Sequence, residues 1–305
     1  MHNIEQIFSM GMLLAVLRMA IPLTLGSIGG VLSERCGIIN LGIEGMMLAG
    51  AFGAVLGTHI FGSPWMGVLC AVIVGGGFGW LHAVLCVKFK TNQSVSGVGI
   101  NILAAGLTVV LCRAVWQSDG LSGPVTALGA VTIPGMSAIP LVGALFSGQS
   151  PYLYMTIFIV IVSWYVMYRT KIGLRLRTIG DHPKAAAAAG INVKKYRYTS
   201  VILCGMLCGL GGSYLSIVQS NLFVKDMVAG RGFMALAATI FGGWNPAGSF
   251  LASLLFAFAQ ALRINLELDI PEQFLQMLPY MLTLFVLMGV GRKVKGPRAA
   301  GDIKE

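Results

Sequence analysis

The chain has 305 residues, is 56% hydrophobic and only 10% charged, and carries a formal net charge of +10. So apolar a composition excludes a water-soluble domain of this size and marks an all-α, polytopic helical membrane protein. Fifteen of the 21 Lys/Arg fall at Lys88 and Lys90, in residues 169–198 and beyond residue 291. That is a topology bias rather than the basic stripe of a nucleic-acid binder.

The first apolar run, residues 7–32, lacks a basic n-region and is too long for a signal peptide, so it is expected to be a retained span. Pro22 and Gly26, Gly29 and Gly30 are expected to loosen its second half. Arg18 inside it must face the bundle or snorkel toward an end. Residues 33–57 then mix Ser33, Glu34, Arg35, Asn40 and Glu44 with Gly37, Gly42 and Gly45. Irregular backbone of this kind survives at membrane depth only where protein or a water-filled cavity satisfies it. Helices are expected over 46–60 and 65–87, a turn at Lys88 and Lys90, and a fourth span over 95–116 with Asn101 in its middle. Residues 117–150, rich in Gly, Pro and Ser and with Asp119 as their one charge, read as the long extracytoplasmic loop. A fifth span over 151–168 follows, with an interfacial belt of Tyr and Trp.

Residues 169–198 carry eight Lys/Arg against the single acid Asp181, so this loop belongs on the cytoplasmic side. Within it Asp181 is a candidate N-cap, Pro183 suits a first helical turn, Ala185 to Ala189 form a strong helix-forming run and Gly190 is placed to end it. A short helix with a small-residue face, suited to docking another protein, is expected here. The alternative is a basic loop that fixes topology and touches anionic lipid. The sixth span, about 199–218, contains the packing run GMLCGLGGS. Residues 232–241 are apolar but too short to cross, and a break at 242–246 precedes a further span over 247–264. The last span, 274–290, leads into a basic cytoplasmic tail, residues 291–305. The total is about eight or nine membrane segments with short or broken helices, in a single transmembrane domain.

Residues 43–51 and 230–238 align as a possible internal repeat, with Gly45 over Gly232, Met47 over Met234 and Ala51 over Ala238. Oppositely directed short helices at matching places point toward a substrate path. Asn40, Glu44, Asn101 and Arg231 are therefore the candidate path residues. Interhelical bonding is the rival role for Asn101, and pairing with Arg35 or Arg18 the rival role for Glu44. The chain carries no GxxxxGK[ST], HExxH or GxSxG motif, and its six cysteines and four histidines show no metal-ligand spacing. It reads as a pathway whose motor lies elsewhere. A self-sufficient secondary transporter would need Glu44 as its coupling carboxylate.

Three motifs, SERCGIINLGIEGMMLAGAFGA, GLRLRTIGDHPKAAAAAGINV and GRGFMALAATIFGGWNPAGS, occur in this order. Together they make the chain resemble the inner-membrane permeases of ABC importers of the branched-chain amino acid and ribose permease family. Within that family it is similar to the shorter permease of nucleoside uptake systems; a simple sugar or a branched-chain amino acid is the alternative substrate. The resemblance implies a transport subunit that is not itself an enzyme, in a bacterial plasma membrane. It implies a second homologous permease, an extracytoplasmic substrate-binding lipoprotein and contact with membrane lipid. Two ATP-binding domains would hold the ATP and Mg, with no cofactor on this chain. They would dock on the loop holding Gly180, Asp181, Pro183, Ala186 and Gly190.

Overall fold

The structure, a computed structural model, describes residues 10–131, 148–265, 296–298 and 300–301. The expected span over 274–290 and most of the tail lie outside these residues. In chain order the helices are α1 (Met10–Arg35), α2 (Ile43–Phe61), α3 (Pro64–Ala83), α4 (Gln93–Trp116), α5 (Pro151–Arg169), α6 (Lys171–Asp181), α7 (Pro183–Ala188), α8 (Val193–Tyr214), α9 (Arg231–Phe241) and α10 (Pro246–Asn265). Single π-helical segments, Val84–Lys88 and Leu215–Ser220, prolong α3 and α8. Six of these helices are long and apolar enough to cross a membrane. Helix α9, at 11 residues, falls short, as its sequence predicts.

Local chemistry fixes where the helices begin. Asn92 accepts from the backbone of Ser94 and Val95 to start α4, and Asn192 accepts from Lys195 to start α8. Ser150 caps α5 with Pro151 in its first turn, and Thr170 caps α6. Helices α1, α3 and α5 end, and α4 and α8 begin, at one face of the bundle, which holds the basic loop. This face is called the basic end below.

The centre is the crossing of α2, α3 and α8. A Cβ built on Gly75 would strike the carbonyl of Gly205, one on Gly209 would strike the carbonyl of Ala71, and one on Gly50 would meet the Gly209 backbone. Small residues let these backbones touch, which is how helices associate where no hydrophobic force separates them from lipid. The glycines of α1 serve the same purpose. Gly29 abuts the Cys204 backbone, and Gly26 and Gly30 receive Ala235 and Thr239 of α9. The expectation that they loosen α1 is corrected: the helix runs unbroken to Arg35, because each missing side chain is filled by a neighbour. Cys204 and Cys208 lie in the same packed layer with sulfurs 4.0 Å apart, as small packing residues.

Segments 121–131 and 217–224 run alongside each other at the far end, opposite the basic one. Ser122 N donates to Phe223 O, Val125 N to Asn221 O and Leu128 N to Ile217 O. This pairing holds the first part of the long loop, residues 121–131, against the chain that follows α8, and its sequence carries no sign of it.

Replacing Gly209 by valine is expected to destabilise the subunit by about 3 kcal/mol, from overpacking. Gly77→Val, at a position with nothing within 4 Å, is expected to leave stability unchanged. Thermal unfolding in detergent measures both.

Candidate functional site

Between α1 and α2 the chain leaves helical structure at residues 36–42 and turns back into the bundle. The start of α2 packs against Gly26 and Gly30 of α1, not against Arg35. Gly26 and Gly30 are nine and five residues before Arg35, so α2 begins about 7–14 Å in from the basic end. The seven connecting residues expose carbonyls that α-helix would have used, and side chains from four other segments answer them. Ser33 Oγ donates to Ile38 O at 2.7 Å, Asn101 Nδ2 to Leu41 O at 2.9 Å, and Arg197 Nε to Cys36 O at 3.4 Å. Gln93 accepts from Ile39 N at 2.6 Å and donates to Gly37 O at 3.4 Å. His82 spans from Ser96 Oγ at 2.9 Å to Ile39 O at 3.4 Å. A buried break is tolerated only when satisfied in this way.

The candidate path residues meet at this break. Asn101 is bidentate, accepting from Gly45 N at 2.8 Å while it donates to Leu41 O, so it ties α4 to the first turn of α2. Asn40 is fully buried, accepting from Gly42 N at 2.9 Å and donating toward Cys204 Sγ at 3.2 Å. Glu44 pairs with neither Arg18 nor Arg35, which corrects that expectation. Its two oxygens accept from Gly230 N at 2.8 Å and Gly232 N at 2.7 Å, the open N-terminus of α9. A carboxylate is stabilised there by unpaired N–H groups and the positive end of the helix dipole. Arg231 folds back, donating from Nη1 to Met227 O at 3.1 Å and Val228 O at 3.2 Å. The aligned segments thus begin face to face and depart in opposite directions, α2 to the far end and α9 to the basic end.

The other end of α9 is held from α1. Arg35 donates from Nε to Trp244 O at 2.8 Å and from Nη2 to Gly243 O at 3.2 Å, and the Trp244 indole donates to Glu34. A guanidinium on the carbonyls just past the helix complements the negative end of its dipole. Arg35 also marks the seat of the basic loop, because a Cβ on Gly180 would collide with the Arg35 carbonyl oxygen. Asp181 and His182 share a groove with Arg35, Gly296 and Arg298.

The loop itself differs from expectation in three respects. An amphipathic helix, α6, precedes the alanine run and ends at Asp181. The residue between the two helices is His182, so Asp181 closes one helix instead of capping the next. Ala186 faces inward, buried with Ile179 and Val193, and Gly180 is buried as well. The outward face consists of Ala185, Ala187, Ala188 and Ala189. Pro183 opens α7, and Gly190 leaves it at φ 78, a left-handed conformation that suits glycine.

Sequence reasoning missed Gln93, His82 and Arg197 as partners of the break. The available signal was polar groups at span ends, aimed at a segment already read as irregular. Among the described residues no cluster of three or more metal-ligating side chains occurs. Glu44→Gln places an NH2 group against a backbone N–H of α9. It is expected to cost about 1–3 kcal/mol, read as a lower melting temperature in detergent. An unchanged value would mean that α9 stands without this carboxylate.

Comparison with known proteins bears on what this arrangement serves. The chain is 39% identical over 302 residues to the guanosine ABC transporter permease protein NupQ of Bacillus subtilis (strain 168), covering 94% of each chain. It is 40% identical over 292 residues to the nucleoside ABC transporter permease protein NupC of Lactococcus lactis subsp. cremoris (strain MG1363), covering 92% of each. A solved metal-chelate type ABC transporter in an inward-facing conformation shares the fold, with a TM-score of 0.50 at 15% identity over 90% of this chain and 85% of that one. Residues 12–287 match the family described as "Branched-chain amino acid transport system / permease component". The chain is a multi-pass membrane protein and belongs to this ABC transporter permease family.

Proposed function

We propose that this chain is one half of the membrane path of an ATP-driven nucleoside importer in a bacterial plasma membrane. The observation that carries the reading is the two-helix loop α6–α7. It is anchored inward by Gly180 and Ala186 and presents four alanines outward. Alanines offer a close-fitting surface with little side-chain entropy to lose on docking, and the anchored loop can bear load. The basic end is then cytoplasmic, in keeping with its excess of Lys/Arg. Residues 117–150 form the extracytoplasmic loop, and 291–305 the cytoplasmic tail. Nucleosides are the preferred substrate because the two relatives at 39–40% identity are named as guanosine and nucleoside permeases.

In this reading two ATP-binding domains on separate chains hold the ATP and Mg and dock on residues 169–198. A second homologous permease completes the path, and an extracytoplasmic lipoprotein delivers solute. Movement of α7 passes through Gly180 to the end of α1. Arg35 then carries it to Gly243 and Trp244, and so to α9, whose far tip rests on Glu44. Rigid elements with two discrete arrangements convert a small displacement at one end into opening at the other.

The docking face is tested by Ala188→Glu, which is exposed. It is expected to abolish uptake of labelled nucleoside by the assembled importer while subunit abundance and melting temperature stay normal. Ala186→Glu, at a fully buried site, is expected to lower the melting temperature as well. Normal uptake in Ala188→Glu would show that the alanine face docks nothing. Unlabelled uridine, adenosine and guanosine are expected to compete for uptake; competition by a sugar or by leucine alone would reassign the substrate.

A further inference from the structure

Beyond the break, toward the far end, lies a cavity of about 450 Å³ that none of the candidate path residues line. Its walls include Arg18 and Ile21 of α1, Gln149 and Ser150 at the start of α5, Tyr214 at the end of α8, and Gln219. The volume falls within the roughly 300–1,000 Å³ range of small-molecule sites. Ile21 is five residues from Gly26 and nine from Gly30, the two glycines that the start of α2 packs against, so the cavity stands about 7–14 Å further along α1 than the start of α2. Solute entering from the extracytoplasmic side would reach it first.

Its chemistry is selective. Arg18, exposed at its place on α1, lines the cavity and donates from Nε to Gln149 Oε1 at 3.1 Å, a bond that orients its guanidinium. Intramembrane arginines are kept where they face a path or a partner. Tyr214 packs edge-on against Tyr152 at 5.5 Å, and the Tyr152 hydroxyl bonds Ser213 Oγ at 2.6 Å, so one aromatic wall is fixed. The π-helical segment Leu215–Ser220 contributes Val218 and Gln219 to the lining; such segments recur at functional sites. Among the described lining residues there is no acid, so the site suits a ligand that presents acceptors. A planar guanidinium fork matches two adjacent acceptors on a flat ring, as the O6 and N7 edge of a 6-oxopurine presents them.

We infer that this cavity is a substrate station that holds the base of a purine nucleoside, and that Arg18 is a specificity-determining residue reading its O6/N7 edge. The inference rests on the nucleoside-importer reading above.

The test uses the complete importer in proteoliposomes, supplied with an equimolar mixture of labelled guanosine and adenosine. Uptake of nucleoside by the unaltered protein tests the importer reading by itself; with no uptake, both inferences fall. Given uptake, Arg18→Gln is expected to lower the guanosine-to-adenosine ratio on the order of tenfold. Arg18→Lys is expected not to restore it, because a point charge lacks the fork. A second variant, Gln149→Glu, engages the guanidinium in an ion pair without removing it and is expected to lower the ratio in the same direction. Melting temperatures near that of the unaltered protein identify folded variants. An unchanged ratio in a folded variant, or equal loss of both nucleosides, would overturn the assignment while leaving the importer reading intact.

Discussion

The arrangement depends on a short helix held by opposite charges at its two ends. Helix α9 is too short to cross the membrane and cannot bury its own termini. Glu44 takes the free N–H groups at one end, and Arg35 takes the carbonyls just past the other. Each charge lies where the helix dipole favours it, a contribution of about 0.3–2 kcal/mol per end. Unsatisfied backbone groups in a hydrocarbon setting would cost more than that. The clamp therefore makes the helix possible at that depth as well as strengthening it.

The two clamping residues bracket the 36–42 break, and this joins two irregularities into one device. Gln93, His82, Asn101 and Ser33 satisfy the break so fully that few of its polar groups are left for a passing solute. Its polarity serves architecture, and Arg18 lines a separate cavity beyond it. Arg35 has a second neighbour in Gly180 of the basic loop. The residue that caps α9 is thus also the one on which the loop rests. Contact between the loop and the interior needs no further element.

Much of this was legible in the residues. The short 232–241 segment, the breaks around it, the span order and the proline-started alanine helix follow from length, charge and turn chemistry. Asn40, Glu44 and Asn101 meet at the break with Arg231 beside Glu44; Asn101 takes the interhelical role weighed for it, whereas Glu44 pairs with helix N–H groups and not with Arg18 or Arg35. Polarity in an apolar chain reveals that a group must be satisfied but not by whom, and the partners of Glu44 lie 186 and 188 residues away. Spacing also could not say which way a small residue faces. Ala186 looks identical in sequence to the outward alanines, yet it is buried and, with Gly180, anchors the loop. The glycines of α1 read as weak points because their filling side chains, Ala235 and Thr239, come from a remote segment.

The central claim is that Arg35 transmits motion from the basic loop to α9. Spin labels at residues 188 and 241, each paired with a label at residue 73 on the exposed face of α3, allow distances to be measured in the assembled importer with and without trapped ATP. Both distances are predicted to shift when nucleotide is trapped. In Arg35→Gln the shift at 188 should persist and that at 241 should vanish. A shift at 241 that survives the substitution undiminished would contradict the account.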